Sequence, residues 1–317
     1  MYDVIIIGGG AAGLTASLYT SRLSMTTLNI TKDIGGQALL APHIENFPGF
    51  MKISGYELIL KFEEQAKNYG AQFIYEEVNK IESQKNHFVI QTNNDDYYSK
   101  SLIIASGKTP INLNVPGEEK FKGKGVTYCA ICDAPLFRDK KVLVVGKGKN
   151  VLETLSLLNP FAEKIYLSNH SSGISNINQL KNKLINERKV EYIPNSEVLE
   201  IKGENVVKSV ILKKSQSQEK IELDIDGIFI SLGYKVKTDI VKGIVDLNKT
   251  GEIIVSKNAC TSRSGVFAAG DVTDISFKQI VISCSEGAKA ALSAYNYIQK
   301  KSGEKIIKSD WKSLIKE

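Results

Sequence analysis

Residues 2–23 read YDVIIIGGGAAGLTASLYTSRL. The unbroken apolar run Val4–Ile7 has strand length, and the glycines after it turn the chain into a segment whose Leu14, Leu18 and Leu23 carry helical spacing. Strand, tight turn and helix in that order put Gly8, Gly10 and Gly13 in the GxGxxG spacing of a dinucleotide loop, with Ala12 inside it. The first glycine permits the turn and the second lets backbone approach a pyrophosphate. The third lets the helix sit close on the strand, its N-terminus facing the phosphates. An acid usually closes the second strand and binds a ribose. Here the strand TTLNIT ends in Thr31, so the ribose contact is expected to be made differently.

The pattern recurs at residues 140–158, KKVLVVGKGKNVLETLSLL, with Gly146 standing where Gly8 stood. Strand-like runs follow: KIYLSNH, VEYIPNSEVLEI, SVILKK, IDGIFISLG, GEIIVS and GVFAAGDVT, before the helical SEGAKAALSAYNYIQK. KSQSQEK at 214–220 reads as a hairpin tip. The expected fold is α/β, with two Rossmann-like, three-layer ββα nucleotide-binding domains, the second inserted into the first. The boundaries are 1–113 for the first part of the outer domain, 114–242 for the insert and 243–317 for the remainder and tail. The polar stretches NLNVPGEE and GYKVKTD join them and are expected to form a hinge near Pro116 and Tyr234.

At 317 residues the chain can bury two cores. No apolar run reaches the ~20 residues needed to span a bilayer, and the N-terminus goes straight into a strand with no basic leader, so a cytoplasmic protein is expected. The net charge of +6 is spread along the chain. It suits an acidic protein partner better than nucleic acid, since no basic run is interleaved with aromatics.

Four cysteines are present, and two of them form the stretch CAICD, residues 129–133. Cys-x-x-Cys can be a dithiol or half of a zinc site. Zinc needs four ligands, and His43, His87 and His170 are scattered, so no metal is expected. Inert structural thiols are the other alternative. For a dithiol, Asp133 supplies what Cys129 and Cys132 lack: exchange requires thiolates to be made and protonated in turn, and an adjacent carboxyl can carry that proton. Asp133 could also be a helix N-cap.

Taken with a dinucleotide fold, the pair suggests electrons passing between a flavin and a dithiol. The sequence resembles the low-molecular-weight thioredoxin reductases over nearly its whole length. The carrying residues are Gly8 to Gly13, IGGQ with Gly35, Gly36 and Gln37, IENFPGF with Asn46, and IIASGKTP around Gly107. To these add CAICD, GVFAAGDV with Gly270 and Asp271, and KQIVISCSEGAKAA at 278–291. The resemblance implies a homodimer that binds FAD non-covalently and reduces thioredoxin. It places Gln37 and Asn46 by the flavin ring, and Asp271, Lys278, Gln279 and Ile280 along the ribityl chain and neighbouring atoms. It makes Cys132 the flavin-proximal cysteine, Cys129 its partner, and Asp133 the acid that protonates the leaving thiolate.

The second loop departs from the pattern. Nicotinamide-dependent relatives carry GxGxxA, whereas Gly146-Lys147-Gly148-Lys149-Asn150-Val151 puts a β-branched residue in the third place, which should push the helix off its strand. The later stretch NHSSGISNIN offers neither an arginine for a 2′-phosphate nor an acid for a ribose. Lys147, Lys149 and His170 could still bind a cofactor in an unusual manner. The pattern resembles the ferredoxin-dependent flavin thioredoxin reductases, which implies ferredoxin as donor. NADPH as donor is the alternative, and a flavin-bound redox sensor a further one. The basic tail carries Trp311, the only tryptophan, expected to anchor the chain end.

Overall fold

The computed structural model describes residues 1–146, 148–169 and 189–307, without the Lys149 side chain. Lys147, His170, most of NHSSGISNIN and Trp311 lie outside the described residues. Two compact units emerge: Met1–Thr109 with the residues from Val236 onward, and Pro110–Lys235. The insert thus closes before residue 242, because Ile240, Val241, Ile244 and Val245 pack into the first unit's core. NLNVPGEE lies within the second unit and GYKVKTD straddles its end, and inside that unit Ile201 N–H donates to Pro116 O at 2.9 Å and the Tyr234 hydroxyl to Tyr128 O at 2.6 Å. Pro116 and Tyr234 are each tied into the second unit by a hydrogen bond.

In the first unit, β1 (Tyr2–Gly9) leads into α1 (Ala11–Arg22) and then β2 (Thr27–Ile34). After α2 (Gly55–Asn68) come β3 (Gln72–Ile74), β4 (Lys80–Ser83), β5 (Phe88–Gln91) and β6 (Asp96–Ile104). The connections carry the short strands β7 (Lys108–Pro110) and β16 (Tyr234–Val236), and the unit closes with β17 (Val266–Ala268) and α5 (Ile280–Lys301). The sheet runs β3-β2-β1-β6-β5-β4, with β17 also on β6. Alternation along β1 explains the layers: Val4 and Ile6 face the alanines of α1 and α5, while Ile5 and Ile7 face a second core shared with the β4–β5 hairpin. GEIIVS forms only isolated bridges through Ile253, not a strand.

The second unit contains β8 (Val126–Thr127), α3 (Ala130–Asp133), β9 (Lys141–Gly146), α4 (Lys149–Leu158), β10 (Lys164–Ser168) and β11 (Val190–Ile193). Next come β12 (Ser196–Gly203), β13 (Val207–Lys214), β14 (Lys220–Asp224) and β15 (Gly227–Ser231). The parallel order β11-β10-β9-β15-β8 is covered on one face by α4 and on the other by the antiparallel β12-β13-β14 sheet, whose β13–β14 turn is the hairpin read at 214–220. Both units are Rossmann-like.

Candidate active site

In the first glycine loop the geometry is dictated by close approach. A Cβ on Gly8 (φ +117°) would lie 2.3 Å from Ala105 O, and one on Gly13 would lie 1.9 Å from Gly8 O, so helix backbone rests directly on the strand turn. Gly10 faces open space, and no side chain caps α1. Bare first-turn amides with room before them form an anion seat. Ala12 is packed beneath Gly270 and Gly287, whose Cβ positions would lie 2.8 Å from Ala12 Cβ and 2.2 Å from Ala12 O. Its side chain is thus a packing element, a role shared by Gly287, which sequence reasoning did not single out.

The strand TTLNIT does not stop at Thr31. β2 continues to Ile34, and the buried Thr31 hydroxyl donates to Asp33 O at 2.6 Å. An acid therefore does stand on this strand: Asp33, exposed, two residues past Thr31 and about 20 residues beyond the glycine loop. Gly35 and Gly36 then open a 3-10 turn, Gly36–Leu40, that carries Gln37 exposed.

Residues far apart in sequence converge on the end of this sheet. The Asn46 loop is clasped by Ile44 and Ile53, which exchange two backbone bonds of 2.7 and 3.1 Å, and the Ser54–Glu57 capping box follows at once. That clasp presents Asn46 Nδ2 to Gln279 Oε1 at 3.2 Å. Gln279 begins α5, directly after Lys278, which donates to Asp271 O and Thr273 O and pairs with Glu252 at 3.4 Å. Ser283 donates to Asp271 Oδ1 at 3.4 Å. Burial pushes the Asp271 carboxyl up, opposed by the Lys108 and Lys278 ammoniums; burial likewise pulls Lys108 down, opposed by Asp271. Gly107 (φ +66°) has open space before it. Lys108 and Glu252 were not read from the sequence; Lys108 adjoins a motif residue, whereas nothing marks Glu252.

In the second unit, Cys129 and Cys132 form a disulfide, S–S 2.07 Å. Cys129 is the N-cap of α3, and its carbonyl accepts from Cys132 N–H at 3.2 Å and Asp133 N–H at 3.1 Å, so the turn itself brings the sulfurs together. Cys132 is exposed and Cys129 half-buried. The turn runs on into a 3-10 segment, Ala134–Phe137, and Phe137 packs edge-on against Phe229 at 5.0 Å. Burying that ring stabilises the motif's position by about 2–3 kcal/mol. Asp133 makes no cap bond; its Oδ2 accepts from the Thr127 hydroxyl. Burial pushes its carboxyl above the ordinary aspartate range, and the Thr127 hydroxyl works against that. Among the described residues no cluster of three or more His, Cys, Asp or Glu could hold a metal.

Glu118, also missed, sits 3% exposed beneath the motif. Its carboxylate accepts from Leu113 N–H (3.0 Å), Asn114 N–H (2.7 Å) and the Tyr128 hydroxyl (2.7 Å), and Tyr128 precedes Cys129. Burial, then Glu118, pushes the Tyr128 phenol up. Glu118→Ala leaves three donors without their buried acceptor, so the urea midpoint of the protein is expected to fall by the equivalent of about 1–3 kcal/mol. An unchanged midpoint would show that water serves equally well.

The two glycine loops differ in detail. Gly146 is demanded by the sheet, since a Cβ there would lie 2.5 Å from Ser231 O. The positive φ falls on Gly148 (+70°) instead of on the first glycine. Where Gly13 lets α1 touch the strand turn, Val151 interposes a fully buried side chain, its Cγ2 2.8 Å from the Gly146 Cβ position.

The family described as pyridine nucleotide-disulphide oxidoreductase matches residues 2–291. The chain belongs to that family. It is 36% identical over 307 residues to a thioredoxin reductase of Peptoclostridium acidaminophilum, covering 94% of this chain and 98% of the relative. It is 36% identical over 298 residues to a 34.2 kDa protein in the rubredoxin operon of Clostridium pasteurianum, covering 93% and 97%. The solved thioredoxin reductase of Streptococcus pyogenes superposes with a TM-score of 0.91 at 35% identity, covering 95% of this chain and 99% of that one. This oxidoreductase therefore carries its CxxC disulfide in the second of two Rossmann-like units. No helix among its described residues is long and apolar enough to cross a membrane.

Proposed function

We propose that this protein is a flavin-dependent thioredoxin reductase, acting in the cytoplasm as a homodimer, that draws electrons from a small acidic iron-sulfur protein of the ferredoxin type. The observation that carries the reductase reading is the Cys129–Cys132 disulfide with Asp133 hydrogen-bonded beside it, on a chain whose first unit offers a dinucleotide seat. The residues present fit FAD: a Cβ would fill the Gly8–Gly13 cradle, uncapped α1 amides suit a pyrophosphate, and Asp33 on β2 would meet a ribose. Asn46 and Gln279 would hold the ring edge, with Asp271 and Lys278 beside the ribityl chain. When bound, FAD would accept electrons singly or paired and pass a pair to a disulfide.

The chain's own chemistry follows. In the reduced protein the Cys129 thiolate attacks one sulfur of thioredoxin's disulfide, giving a mixed disulfide and a thioredoxin thiolate that takes a proton from Asp133. Cys132, giving its proton to Asp133, then attacks Cys129 Sγ. The Cys129–Cys132 bond re-forms and the second thioredoxin thiolate leaves, taking that proton. Two thiols are oxidised to one disulfide and one disulfide is reduced to two thiols. Burial favours this use of Asp133, because it lets the carboxyl carry a proton at higher pH than an exposed aspartate would.

The donor rests on the second loop. Val151 between helix and strand, and the changed backbone at Gly148, support loss of the nicotinamide seat; the net charge of +6 suits an acidic carrier, and one relative is encoded in a rubredoxin operon. The competing reading, NADPH as donor, draws support from the family's description and from a match that spans this loop. To test the reductase reading, thioredoxin reduction is followed with each donor for wild type and Asp133→Asn. Turnover is expected in the wild type and a loss on the order of a hundredfold in the variant, with flavin retained. An equal rate in Asp133→Asn would remove the carboxyl from the reaction.

A further inference from the structure

Thr127 ends β8 two residues before Cys129 and is 7% exposed. Its hydroxyl oxygen accepts the Cys129 N–H at 3.2 Å and lies against Asp133 Oδ2. A hydroxyl has one proton and two lone pairs. The amide can only donate, so it occupies a lone pair and leaves the hydroxyl proton to point at Asp133. An ionised carboxyl accepts that proton. A carboxyl protonated on Oδ2 would instead put two protons between two oxygens, leaving one of them without an acceptor there.

We propose that Thr127 is a positioning residue for the redox centre: held by the Cys129 amide, its hydroxyl engages Asp133 Oδ2, favours the ionised carboxyl and leaves Oδ1 as the atom that exchanges protons with the thiols. The proposal rests on the reading of Asp133 as the proton carrier. Burial opposes the hydroxyl and pushes the carboxyl above the ordinary aspartate range. Of the elements around it, β8 and the Ala134–Phe137 segment bring no charged side chain, and α4 brings Glu153, which is exposed, and Lys149, whose side chain is not described. A group that gives and takes a proton in each cycle is served by opposing influences of this kind.

The same hydroxyl touches the backbone of one redox cysteine and the side chain that follows the other, so a single atom ties the carboxyl to the turn that holds the sulfurs.

The test uses the whole protein with its flavin, as wild type, Thr127→Val and Thr127→Ser, each with and without Asp133→Asn. Asp133 ionisation is read directly from the 13C resonance of labelled aspartate carboxyls that Asp133→Asn removes. In Thr127→Val it is expected to move to higher pH, by on the order of one unit, as loss of a hydrogen bond to a charged group implies; Thr127→Ser should return it to the wild-type position. Disulfide exchange by protein reduced with dithiothreitol is measured alongside, which makes the donor irrelevant. An unmoved resonance in Thr127→Val overturns the proposal whatever the exchange rate does. A moved resonance with an unmoved pH profile of exchange upholds the Thr127 contact and instead removes Asp133 from turnover. If Thr127→Val does not fold, Thr127→Ala carries the same expectation, and a Thr127→Ser titration displaced from wild type overturns the proposal by itself.

Discussion

Cys132→Ser is expected to abolish thioredoxin reduction and to accumulate a stable mixed disulfide through Cys129. The reason lies in the order of the exchange. In the proposed order Cys129, the half-buried N-cap of α3, makes the first bond to the partner, and only a thiol already in the turn can break it. With a hydroxyl at position 132 the second attack has no nucleophile. Cys129→Ser should be as inactive, yet form no such adduct, because the proposed order gives Cys132 no bond to the partner. Both variants should stay yellow, since the residues assigned to FAD, from Gly8 to Ile280, all belong to the first unit. Non-reducing electrophoresis and mass of the adduct read the result. An adduct on Cys129→Ser but not on Cys132→Ser would reverse the assignment, a live test because Cys132 is the more exposed residue of the pair.

The other large effect concerns the donor. Reduced ferredoxin should reduce the flavin fully, while NADPH and NADH at micromolar concentration leave it oxidised. In a working dinucleotide loop the helix must come down onto the strand so that its first amides reach the pyrophosphate. The chain shows that geometry once, where Gly13 meets Gly8. At the twin position a valine stands between helix and strand, anchored in a core with Val142, Val144, Leu155 and Phe229. Val151 cannot withdraw without opening a cavity there, at roughly 1 kcal/mol or more. Association with an acidic carrier should also slow as salt rises, because screening shortens the reach of the protein's positive charge.

Much of this was legible in the sequence. Gly8, Gly13 and Gly146 could be read because close backbone approach admits no other residue, and the disulfide because two cysteines one turn apart have few other uses. Spacing puts Val151 in the third place of the second loop; that its side chain is fully buried beside Gly146 emerges only on folding. Other features depend on tertiary placement that no local pattern encodes. Thr31 looked like a strand end because Lys32 and Asp33 are polar, but pairing with β1 carries the strand on to Ile34. Glu118 lies in a stretch that reads as a linker, and its value comes from two backbone amides and a phenol that converge only on folding. Thr127 carries no signal at all; its role follows from the hydrogen bond that reaches Asp133.

The measurement that bears most directly on the account is an anaerobic titration of the purified flavoprotein, first with NADPH and NADH and then with reduced ferredoxin, following the flavin absorbance and the thiols released on added thioredoxin. No bleaching by either nicotinamide, complete bleaching by ferredoxin, and two thioredoxin thiols for each pair of electrons delivered are expected. Rapid bleaching by micromolar NADPH, with onward transfer to thioredoxin, would contradict it and show that the loop around Val151 still seats a nicotinamide.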